Sequence, residues 1–222
     1  MFRGAPSRSV VRPFILAAGI GLAVTFCWAG KQFMMPPVQP AKTYPAHDEH
    51  TDEAAAVAAD PYDTAEKAHI FSVNYAEIGM LPVLLIVTND GDQPVTLGDI
   101  KAELVTGDRT KLLAAVPDDI YRRLAHPHPS STTTYPLPFP TKKIKGGMNA
   151  QTRDEVENAQ FAAKAVEPHS TQSGFLFFDV EGLSSPLAGA HLYITGLRNG
   201  RGNELMYFEV PLEKSSGAAA KP

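Results

Sequence analysis

With a single cysteine, Cys27, in 222 residues, the chain can form no internal disulfide and carries no thiol beyond residue 27. Thiolate catalysis and dithiol redox chemistry are thereby excluded for everything downstream. Basic charge is scarce as well: 20 Lys and Arg stand against 24 Asp and Glu, for a formal net charge of −4. Taking the +3 of Arg3, Arg8 and Arg12 from that −4 leaves −7 for the residues after Gly30. Nucleic acid is not an expected partner, because a polyphosphate needs a clustered basic face and the one local run is Lys142, Lys143 and Lys145. The chain also lacks a phosphate-binding loop. KGGM at Lys145–Met148 has neither the spacing nor the following Lys-Ser/Thr. No serine sits in a glycine-flanked elbow, and the adjacent Asp118 and Asp119 suit helix initiation better than a facing carboxylate pair. No catalytic residue and no cofactor is therefore assigned.

What the chain does have is a distinctive beginning. Arg3, Arg8 and Arg12 are the only charges before an uninterrupted apolar run from Pro13 to Gly30, the pattern of an export signal. The run is at the short end of what crosses about 30 Å of hydrocarbon. Two fates stay open: cleavage after Ala29, with Cys27 and Ala29 as the small residues at −3 and −1, or retention as a membrane anchor. Phe26 directly before Cys27 argues against lipidation there. Either way the basic flank keeps the N-terminus inside and places the rest outside the cytoplasm, periplasmic or secreted if cleaved and anchored to the inner membrane if not. The N-terminal segment is the only expected membrane contact.

Residues 31–67 have four prolines in their first fifteen positions and seven acids against three lysines. This composition predicts an extended, disordered acidic linker. A folded domain is then expected from Ala68 to about residue 213, followed by a disordered tail over 214–222. AHIFSVNY has strand composition, and Leu81 to Val87 is a continuous apolar run, as in a strand buried on both faces. Asn89, Asp90, Gly91 and Asp92 supply turn chemistry. IKAELVT and KLLAAV continue a meander of short strands. An insertion over about 117–165 interrupts it, with a helix expected from Pro117 and another opening at Thr152, whose Glu155 has capping-box spacing. AKAVEP, SGFLFFDVEG, HLYITGL and ELMYFEVPL return to sheet composition, and in the last both faces carry large apolar groups. The expectation is an all-β antiparallel sandwich of 7–8 strands, with a small closed barrel as the structural alternative.

The strand ending in VTNDGDQPVTL and the later VEPHSTQSGFLFFDV together resemble the immunoglobulin-like sandwich of exported bacterial proteins. The resemblance spans about residues 68–213. It implies that fold and an address outside the cytoplasm, and brings no functional residues with it.

Three local features carry candidate chemistry. HDEH places His47, Asp48, Glu49 and His50 together, with His47 and His50 as potential ligands to a divalent ion; an acidic solvated run is the plain alternative. HPHP contributes His126 and His128 as a second candidate pair, with an exposed loop as the plain alternative. Finally, prolines at 136, 138 and 140 stiffen a polyproline-II-like rod that displays Tyr135, Leu137 and Phe139 for a partner's aromatic groove, or folds back to protect a sheet edge. The leading expectation is a non-catalytic interaction or structural module with an envelope protein as partner. The others are a metal-binding accessory protein using His47 and His50, and an enzyme with its site in the 117–165 insertion.

Overall fold

A computed structural model describes residues 33–125 and 149–213. Its ten strands are β1 (His47–His50), β2 (Ala55–Pro61), β3 (Met80–Asn89), β4 (Val95–Thr96), β5 (Lys101–Val105), β6 (Lys111–Leu113), β7 (Ala165–Val166), β8 (Ser170–Asp179), β9 (His191–Thr195) and β10 (Phe208–Pro211). Three α-helices accompany them: α1 (Ala65–Ala68), α2 (Pro117–Ala125) and α3 (Ala150–Ala159). The fold is all-β in character, with every strand pairing antiparallel. One four-stranded sheet has the order β1-β2-β3-β8, a second β10-β9-β5-β6, and β4 pairs with β7 alone. Ten strands in three sheets replace the seven or eight expected.

β3 is the central strand that its apolar run predicts, and all ten of its residues are buried. Side chains alternate across a strand, and here the alternation divides two cores. Leu81, Val83, Leu85 and Val87 join Leu104, Leu192, Ile194 and Phe208 of the second sheet in one buried cluster. Leu84 and Ile86 join Phe175 and Phe177 of β8 in another, closed by Ile120 of α2, Val156 of α3 and the ring of Phe71. The first sheet is therefore covered on both faces, by the second sheet and by helices. Pro82 is tolerated in this central strand because its carbonyl accepts from Tyr62 N at 2.9 Å, just past the end of β2. Its missing donor thus faces the place where pairing with β2 has already stopped.

The segment read as a linker is instead part of the sheet. β2 runs alongside β3 from Ala55↔Asn89 to Pro61↔Val83, and Ala55, Ala56, Val57, Ala58 and Ala59 are all at most 2% exposed. Composition concealed this because alanine contributes little apolar bulk. The bulk comes from β3 and β8, and small side chains let β2 fit between the two cores. The folded region accordingly begins well before Ala68. AHIFSVNY forms no strand: α1 ends at Ala68, and Phe71 and Tyr75 enter the helix-side core from irregular backbone.

Both predicted helices form. Pro117 opens α2, with Asp118 and Asp119 in its first turn and Arg122 and Arg123 in its last, as the dipole favours. α3 is capped differently from the expectation: Asn149 accepts from Thr152 N at 2.6 Å, and Glu155 turns away into the protein. In the last sheet segment the strand starts only at Phe208, so Met206 is 60% exposed rather than aligned with Phe208 and Val210.

The predicted Asn-Asp-Gly-Asp turn is pinned by its first residue. Asn89, 1% exposed, donates through Nδ2 to the carbonyls of Gln93, Val166 and Glu167 at 2.8, 3.1 and 3.3 Å. Its Oδ1 accepts from Gly91 N at 2.9 Å. The outer edge of β8 is also satisfied, since Phe175 O and Phe177 O accept from Phe161 N and Ala115 N at 3.0 and 2.7 Å.

Gly174 makes the first of these contacts possible, because a Cβ there would fall within van der Waals distance of the Phe161 backbone. Gly174→Ala is expected to destabilise the protein by about 1–3 kcal/mol in urea unfolding; an unchanged midpoint would show that the 160–161 segment is not held against β8. Alkaline pH provides a second measurement. Burial, then Asp60, pushes the Tyr62 hydroxyl up to about 12, and a hydrogen bond to Glu209, then burial, raises that of Tyr193 to about 12. A raised folded value favours the neutral ring in the fold. Its contribution is complete below the ordinary value near 10 and is lost as pH rises through about 12. Unfolding monitored against pH is expected to show stability falling between about pH 10 and 12, with a smaller fall in Tyr62→Phe.

Candidate functional site

The structure does not bring the His47 and His50 imidazoles of the HDEH run together. The run is strand β1, and His47 and His50 stand three positions apart in it, so the two imidazoles leave on opposite sides. His47 Nδ1 lies 2.5 Å from Tyr44 O. His50 is 12% exposed, with Nδ1 2.9 Å from Glu53 Oε2 and Nε2 3.5 Å from Asp48 Oδ2. Its ring stacks on Phe208 at 4.1 Å and 14°. Among the described residues no group of three or more His, Cys, Asp or Glu side chains is arranged to hold a metal ion.

The two carboxylates beside His50 have structural work across the sheets. Asp48 Oδ2 accepts from Glu209 N at 2.8 Å and Glu53 Oε1 from Met206 N at 3.0 Å. β1 ends the first sheet and β10 the second, so this pair of bonds ties one edge to the other and occupies donors that an open edge would expose. The result is a clasp: two acids gripping the backbone in β10 and just before it, an imidazole between them, and a phenyl ring beneath. The opposite edges are joined by the chain itself, where Ala114 N bonds Ala102 O of β5 and Ala115 N bonds Phe177 O of β8.

Glu155, whose spacing predicts a capping residue, is instead a buried carboxylate. Glu155 is 2% exposed and accepts from Ser72 N at 2.7 Å, from the Ser72 hydroxyl, from Val73 N at 3.4 Å and from Tyr75 Oη at 3.4 Å. Several donors compensate its desolvation, and burial, then Glu155, pushes the Tyr75 hydroxyl up. The available signal was position: Glu155 adjoins Val156 and lies four residues before Ala159, both on the buried side of α3. The arrangement docks α3 against the 72–75 segment.

The second sheet is different on its outer face. His191 and Tyr193 are half-buried there, 6.4 Å between ring centroids, and Tyr207 follows at 6.1 Å from Tyr193 and 52% exposed. Tyr193 Oη donates to Glu209 Oε1 at 2.7 Å. His191 Nδ1 lies 3.0 Å from that same oxygen but off the direction of a hydrogen bond. This row of rings sits on a face that no helix of the described residues covers.

Two clefts of about 690 Å³ each flank Met80. Between them Arg123 pairs with Asp179 and Glu181. The other predicted candidates, His126, His128, Tyr135, Leu137 and Phe139, lie outside the described residues, as does the apolar N-terminal run. Among the described residues no helix is long and apolar enough to cross a membrane. No protein-family model matches this chain, and no curated protein matches it significantly.

Asp48→Ala is expected to cost about 1–3 kcal/mol by leaving Glu209 N without its acceptor, whereas Glu49→Ala, an exposed neighbour, stays within about 0.5 kcal/mol. Equal effects in chemical unfolding would mean that β1 and β10 are not joined through Asp48.

Proposed function

We propose that this protein is a non-catalytic, extracytoplasmic interaction module of immunoglobulin-like architecture. The strand arrangement supports the architectural part. In both sheets the strand entered from the other sheet pairs with a strand distant in sequence: β8 with β3, and β9 with β5. The chain crosses between sheets from β3 to β5 and again from β8 to β9, the interlocked pairing of an immunoglobulin-type sandwich. The segments VTNDGDQPVTL and VEPHSTQSGFLFFDV, which carry the resemblance, adjoin β3 and β8.

The observation that carries the functional part is the unequal covering of the two sheets. One has both faces buried, while the outer face of the other bears Tyr193, Tyr207 and His191 with no helix of the described residues above them. Exposed aromatic rings on a rigid face favour binding, because they supply contact area at small conformational cost. The basic, apolar beginning of the chain supports export.

The test is crosslinking in cells that carry tagged full-length protein, followed by capture and mass spectrometry of both the partners and the mature N-terminus. Capture of an envelope protein, lost on replacing Tyr193 and Tyr207 by alanine at unchanged melting temperature, is the expected result. Loss only on replacing Tyr135, Leu137 and Phe139 would move the binding surface to the proline-rich segment. No specific partner in either background would remove the interaction reading.

A further inference from the structure

We propose that the cleft beside the start of β3 and the end of β8 receives a lysine- or arginine-bearing segment of a partner protein. Its volume of about 690 Å³ lies in the range of ligand-sized sites. The floor is apolar, formed by the buried Met80 and Leu81 with Leu183 and Leu187 beside them. The rim is acidic: Asp63, Glu77 and Glu181 line it, and among the described residues no Lys, Arg or His does.

The three acids are not equivalent. Glu181 is engaged by Arg123, and a fixed cation already answers its charge. Asp63 and Glu77 are exposed and form no ion pair among the described residues. Two unanswered carboxylates above an apolar floor complement a segment that alternates cationic and apolar side chains. Its hydrocarbon would pack against the half-buried Leu183 and Leu187 while its charged ends meet the rim, as long basic side chains do when they keep their heads near water.

The wall is formed in advance, which lowers the ordering cost of binding. Gly79 adopts φ +70°, and a Cβ there would meet Glu181 Cβ at 2.9 Å. Only glycine lets the loop after β8 approach this closely. Val180 N then donates to Gly79 O at 2.9 Å, and the loop closes through Leu183 N to Val180 O at 3.0 Å and Ala188 N to Ser185 O at 3.2 Å. This site is separate from the tyrosine row on the second sheet, so the proposal stands or falls apart from that surface.

The probe is a fluorescent peptide of alternating lysine and leucine, titrated into the full-length protein beside glutamate–leucine and serine–leucine peptides. The lysine peptide is expected to bind alone, more weakly as salt rises, and about tenfold more weakly to the double variant Asp63→Asn, Glu77→Gln. Neither side chain has a structural partner, so the variant should melt with the parent protein, and Tyr207→Ala should bind the peptide as well as the parent does. A photoreactive form should attach within residues 180–188. Equal binding of the serine peptide, or no loss in the double variant, would overturn the proposal. So would tighter binding once Lys142, Lys143 and Lys145 are replaced by serine, because the chain's own lysines would then be the occupant.

Discussion

The ladder between β3 and β8 is the constraint on which the rest of the structure depends. Ten residues pair in unbroken register from Met80↔Asp179 to Asn89↔Ser170, joining segments about ninety positions apart. Both strands direct apolar side chains to both faces, so a shift of one residue would exchange the two cores wholesale. That penalty fixes the register. It also explains why β2, running beside β3, is built from alanine and valine: it occupies the same layer and has to fit both clusters.

Once the central sheet is set, its edges need partners, and the protein satisfies them in unlike ways. Beside β8 the chain provides backbone, through Phe161 and Ala115. Beside β1 it provides side chains, with Asp48 and Glu53 taking the amides of Glu209 and Met206. The acids of the β1 region therefore act as acceptors in an edge-to-edge clasp. A run that reads as metal-ligating chemistry serves here to join two sheets, with His50 packed on Phe208 as its filler.

The same division of labour leaves particular surfaces available for function. Helices and the 70–78 segment cover one face of the central sheet, and Glu155 secures α3 there. Among the described residues the second sheet has no such cover, and its outward side chains include the rings of His191 and Tyr193 beside Lys101, Glu103 and Thr195. At the end of the central sheet, the glycine that lets the loop after β8 approach β3 also shapes an acid-rimmed cleft. Both features are the surfaces proposed above for contact with other molecules.

Several elements were legible locally because local chemistry determines them. β3 announces itself by length and hydrophobicity, the Asn89 turn by its residue types, α2 by Pro117 and the acids that follow, and the paired motifs by their strand composition. Other features were not legible. β1 and β2 lie in an acidic, proline-flanked, alanine-rich stretch whose strand character comes from β3, since alanine adds too little apolar area to signal burial by itself. AHIFSVNY has β-forming residues, yet its rings fill a core from irregular backbone. Glu155 matched a capping spacing until tertiary contacts offered it more donors. The sequence by itself determined the central strand, the turns, the helix starts and the all-β class, each a consequence of side-chain type and spacing. Only the tertiary structure decided that the supposed linker is sheet, that His47 and His50 part company, and which faces stay open, because these depend on what a distant segment brings alongside.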